Sequence, residues 1–178
     1  VSRMHRLTSA HVRGGMSSER VEVLTVRLTD LLGERAQVVR QHETNGEWEY
    51  AAVPAAALDL FDHPWVTAQQ RDALSSQVSD SLSASFEHVR SLEPALAAAQ
   101  AFLANYREVS AEAPGDLTVN RKVSVSLNRV GAGLSGADPQ AAQDLFTEAL
   151  TIRRTLAAAL PGNLQAQRDL SVSLNRVG

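Results

Sequence analysis

PGDLTVNRKVSVSLNRVG, residues 114–131, decides the fold, because the chain repeats it 47 residues later as PGNLQAQRDLSVSLNRVG, residues 161–178. The two copies share twelve of eighteen positions, including the whole run SVSLNRVG. Self-similarity at a fixed period of this size marks stacked units, each of which buries its apolar face only against its neighbours. Within the phrase, Pro-Gly stops one helix. Asp116 or Asn163 then caps the next by accepting from an otherwise unpaired amide. Glycine inside a helix costs about 0.5–1 kcal/mol relative to alanine. The recurrence of Gly131 as Gly178 therefore predicts a neighbouring helix that comes too close for a side chain.

The same logic extends outward. Residues 92–112 carry Leu96, Ala99, Leu103 and Tyr106 at helical steps, with Ala95, Phe102 and Val109 widening the stripe, and end at Pro114-Gly115. Residues 141–160 repeat the stepping with Leu145, Ala149, Ile152 and Leu156 and end at Pro161-Gly162. Between them GLSGADPQ reverses the chain, with Gly136 as terminator and Asp138-Pro139 as cap and first helical residue. Upstream, residues 65–83 contain Gln70-Arg71-Asp72, an echo of Gln167-Arg168-Asp169, and read as a degenerate first helix. The serines of 79–85 count against that helix, because serine competes for backbone hydrogen bonds.

The N-terminal third has a different texture. Residues 1–16 read as a mobile leader, or as upstream sequence if translation begins at Met16. Ser17 or Ser18 caps a helix in which Val21, Leu24, Leu28 and Leu31 share a face and Gly33 provides the stop; a strand through RVEVLTVRL is the competing reading. Residues 36–42 and 48–53 are β-prone and flank Asn45-Gly46, so a β-hairpin is expected, closed by Pro54. The expected organisation is a leader at 1–16, a small helix-plus-hairpin module at 17–63, and an α-solenoid of antiparallel helical hairpins at 64–178, its last unit incomplete.

Composition narrows the function. Only eight of 178 residues are aromatic, and Ala, Leu and Val carry the apolar load, which suits helices packed through small side chains. Without cysteine there are no disulfides, thiolate metal sites or cysteine nucleophiles, and a reducing, cytoplasmic setting is expected. The net charge of -3 contains no strongly basic segment, so a nucleic-acid partner is not expected. Neither is a membrane partner, since no apolar run is long enough to span a bilayer. The first sixteen residues also lack the apolar core of a signal peptide, although Arg3, Arg6 and Arg13 give a basic start.

Catalytic patterns are equally sparse. Histidines stand at 5, 11, 42, 63 and 88, none at the spacing that a helical zinc site needs. There is no phosphate-loop glycine phrase and no nucleophile elbow, so neither metal nor cofactor is expected. His42, Glu43, Glu47 and Glu49 would flank the hairpin and could bring a base to carboxylates. Solvated hairpin charge explains them more simply, and the chain is expected to be non-catalytic.

Leu127, Val130-Gly131 and Leu134 in one helix, followed by Ala142, Phe146 and Ala149 in the next, resemble the tetratricopeptide repeat. The 47-residue period exceeds the usual 34, the extra length falling after Leu150. This elongated form resembles the long bacterial repeats related to kinesin-light-chain arrays. It covers about 92–178, weakly 64–91, and nothing earlier; HEAT-like repeats share the period but not the proline pattern. The resemblance implies a scaffold whose first helices line a concave groove for a protein or peptide. Asn128 and Asn175 would lie in that groove, with Arg121, Arg129, Arg168 and Arg176 at its edge. Pairing of these arginines with Asp144, Glu148 or Asp169 is the competing structural role. An open apolar face on the last helix would offer a site for self-association. The alternative function is the regulatory or sensor region of a larger enzyme or signalling protein, with the N-terminal module supplying the activity.

Overall fold

The computed structural model describes residues 18–41, 47–63, 66–88 and 93–178. Among the described residues there are seven helices and no strand: α1 (Ser18–Arg40), α2 (Glu47–Phe61), α3 (Ala68–His88), α4 (Glu93–Glu112), α5 (Leu117–Leu134), α6 (Pro139–Ala159) and α7 (Leu164–Val177).

The helix ends from α4 onward follow the sequence signals. Asp116 accepts from the amides of Thr118 and Val119 at 2.7 and 3.1 Å, Asp138 from Ala141 at 3.0 Å, and Asn163 from Ala166 at 3.0 Å. Each bond satisfies an amide that has no partner within the helix. Consecutive helices from α3 to α7 pack side by side and run antiparallel. Tyr106 of α4 meets Ser76 of α3, Ser110 of α4 meets Asn120 of α5, and Arg153 of α6 meets both Ser124 of α5 and Ser173 of α7. The α3 helix also touches α5 directly.

Gly131 shows why the phrase keeps its glycine. A Cβ there would lie 2.6 Å from Cε1 of Phe146, so the aromatic ring of α6 rests on bare backbone of α5. In α3 the serines do not break the helix. Ser75, Ser81 and Ser85 are buried and donate to the carbonyls of Arg71, Val78 and Ser81 at 2.7, 2.7 and 3.1 Å, which removes the competition for backbone groups. Their small volume lets α1 lie against α3.

Three expectations for the N-terminal third are corrected. The β-hairpin is absent: residues 36–40 complete α1 and 48–53 lie in α2, while Asn45-Gly46 lies outside the described residues. Helix wins because it turns Ala36, Val39, Tyr50, Val53 and Ala57 into a core shared with α3 and α4, whereas an isolated hairpin is marginal in water. Pro54 is fully buried inside α2 instead of ending a strand. Gly33 does not stop α1, which continues to Arg40. Finally, the buried line of α1 is Thr25, Thr29, Ala36 and Val39, while Leu24, Leu28 and Leu31 are 45%, 46% and 60% exposed. Thr29 is tolerated inside because its hydroxyl donates to the carbonyl of Thr25 at 2.9 Å.

The apolar core runs without interruption from Ala36 and Val39 in α1 to Ala149 in α6, joined in the middle by the Phe61 and Phe102 rings, whose centroids are 5.3 Å apart. The expected leader at 1–16 lies outside the described residues, as do the side chains of His42, Glu43, Glu47 and Glu49.

Candidate functional site

Polar side chains gather where α5, α6 and α7 meet, and Arg153 is at the centre. Only 5% exposed, it is held by three helices at once. Its Nε donates to Ser124 Oγ at 3.2 Å, and its Nη1 donates to the carbonyl of Asp169 at 2.7 Å and to Ser173 Oγ at 3.0 Å. Burial pushes the guanidinium below its ordinary value, Asp169 opposes that shift, and the nearby Arg121, Arg176 and Arg129 add to it. Arginine still remains charged at any working pH, so the junction concentrates positive charge around one carboxylate.

Above this centre Arg121 Nε binds Asp169 Oδ2 at 2.7 Å, and Gln165 Nε2 donates to Asp169 Oδ1 at 2.7 Å. One unit earlier, Lys122 pairs with Asp72 and its ammonium lies 5.5 Å from the centre of the Tyr106 ring. Burial raises the pKa of Tyr106, and its hydrogen bond to Ser76 opposes the rise. Residues 106 and 153 are 47 apart, as are 122 and 169. The two junctions therefore share one geometry with different chemistry: Tyr106 with Lys122 in one, Arg153 with Asp169 in the other. In each case an ion pair ties one first helix to the next, α3 to α5 and α5 to α7.

The six residues singled out from the sequence are distributed unevenly. Arg121 is paired with Asp169, one of the acids expected to compete for it. Asn128 is 6% exposed, donates through Nδ2 to the carbonyl of Ser124 at 2.9 Å, and leaves its buried Oδ1 without a partner. Arg129 is half-buried and already engaged. Arg176 lies over the Phe146 ring, 5.3 Å from its centre, so that the ring is held between Gly131 and a cation. Arg168 and Asn175 are exposed.

Two clefts adjoin these helices. One of about 190 Å³ is lined by Leu117, Arg121, Arg153, Leu156 and Asp169. The other, of about 340 Å³, opens between α4, α5 and α6 beside Arg107, Asn120, Glu148 and Thr151. Sequence reading missed Arg153, although a signal was present: it stands 47 residues after Tyr106, on the apolar stripe, where a charge has to be satisfied by neighbouring helices. Among the described residues no group of three or more His, Cys, Asp or Glu side chains could hold a metal ion. Nor is any described helix long and apolar enough to cross a membrane.

Fold and junctions define an all-α protein whose C-terminal half repeats with a 47-residue register. Comparison with the models of known protein families, with curated proteins and with solved structures gives no match.

Proposed function

We propose that the chain is a non-catalytic, cytoplasmic scaffold, an α-solenoid of tetratricopeptide-like units whose first helices form one concave surface for a protein or extended peptide. The observation that carries this reading is the pair of bridges between first helices, Asp72 to Lys122 and Arg121 to Asp169. They hold α3, α5 and α7 side by side, so that polar residues of separate units face one ligand. Exposed Asn175 can hydrogen-bond a peptide backbone, and Arg129 and Arg176 supply cations along the edge. The surface is built from repeated positions, which suits a ligand that runs across units better than a small molecule held at one point.

The test is a peptide-display selection against the full chain, followed by titration of the selected peptides. The double charge reversal Arg129→Glu and Arg176→Glu should weaken binding about tenfold or more, a loss of about 1.4 kcal/mol, with helicity retained. Affinities that survive the double reversal unchanged would remove the groove from the proposal.

A further inference from the structure

The 47-residue register compares each side chain with its counterpart one unit on, and the comparison singles out the outer flank of α7. In α5, Leu127 is 0% exposed and Ser124 is buried, because α6 lies over them; Phe146 covers Gly131 and Arg153 reaches Ser124. Their counterparts in α7 are Leu174, Ser171 and Gly178. Leu174 is 45% exposed, Val172 beside it is 42% exposed, and Ser171 and Gly178 are open. The same residues that receive a helix in α5 are present in α7 and uncovered.

Charge says what kind of helix fits. Arg107 of α4 pairs with Glu148 of α6 at 2.6 Å, and Arg121 of α5 pairs with Asp169 of α7 at 2.7 Å. Each is a cation of one unit meeting a carboxylate of the next. Their counterparts 47 residues on are Arg154 and Arg168, both exposed and without a partner among the described residues. A second α7 packed antiparallel on the first would set Arg168 and Arg176 of one copy against those of the other. Like charges facing each other disfavour that occupant.

We infer that the outer flank of α7, with Arg154 beside it, is a docking surface for a further helical pair of this same 47-residue kind. The incoming second helix carries an aromatic residue over Gly178, an Arg or Tyr reaching Ser171, and a carboxylate at Arg154. The first helix after it carries a carboxylate at Arg168. The chain's own segment 132–178 has this pattern in Phe146, Arg153, Glu148 and Asp169. The inference concerns packing and holds whether or not a peptide occupies the groove.

The experiment extends the full chain after Gly178 by a second copy of residues 132–178 and follows hydrogen exchange in the original α7. The extended protein should exchange its α7 amides about tenfold more slowly than the unextended chain, as expected when a frayed terminal helix becomes internal. Arg154→Glu should return about threefold of that protection, and Glu148→Arg in the appended copy should restore it in the Arg154→Glu background. Unchanged α7 exchange on extension would overturn the inference. So would a charge exchange that fails to restore protection, or an unextended chain that protects α7 by dimerising in a concentration-dependent way.

Discussion

Two glycines lie inside helices, at positions 33 and 131, and opposite outcomes are expected of them. A Cβ at Gly131 would meet the Phe146 ring at 2.6 Å, and that ring is buried between α5 and Arg176. Overpacking costs about 1–3 kcal/mol, more than the roughly 0.5–1 kcal/mol that alanine contributes to helix stability. At Gly33 the nearest atom, also at 2.6 Å, is the amide oxygen of the exposed Gln77 side chain, which can swing away. Gly131→Ala should therefore lower the urea midpoint and Gly33→Ala should raise it. Equal shifts in the same direction would mean that the Phe146 contact does not restrain the ring. The recurrence of Gly131 announced its role in the sequence; Gly33 looked like a stop signal only because its surroundings were unknown.

Between elements, Arg153 joins α5, α6 and α7 through three hydrogen bonds. A buried charge is stabilising only when its donors are matched, and removal leaves the two hydroxyls and the Asp169 carbonyl without it. Arg153→Met keeps most of the volume and should destabilise the protein by roughly 2–4 kcal/mol in urea unfolding, with α7 amides exchanging fastest. A loss below about 1 kcal/mol would show that desolvation of the guanidinium already cancels its bonds. The order and ends of α4 to α7 were legible, since Pro-Gly stops and Asx caps act over a few residues. The contacts of Arg153 were not, because they depend on which helices come together.

At the scale of the molecule, the core passes from α1 into α6 without a break. Val39 is fully buried in α1, and Val39→Ala should cost about 1–3 kcal/mol through lost contact and a residual cavity. If the described residues unfold as one cooperative unit, slowly exchanging amides of α4 should lose the same stability as those of α1 in native-state hydrogen exchange. A loss confined to α1, α2 and α3 would mark a division within the core.

By itself the sequence determined the helical character of residues 93–178, the 47-residue register and the caps and stops that punctuate it, because each rests on local backbone chemistry repeated twice. Tertiary structure alone decided the N-terminal third. There residues 36–40 and 48–53 follow their burial against α3 and α4 and override β-propensity. It also decided which of two stripes on α1 turns inward, since Thr25 and Thr29 fit closely against the small serines of α3 and the leucines were left outside. Which arginines of the repeated phrase are paired and which are exposed was settled in the same way, by the presence or absence of a carboxylate on the adjoining unit.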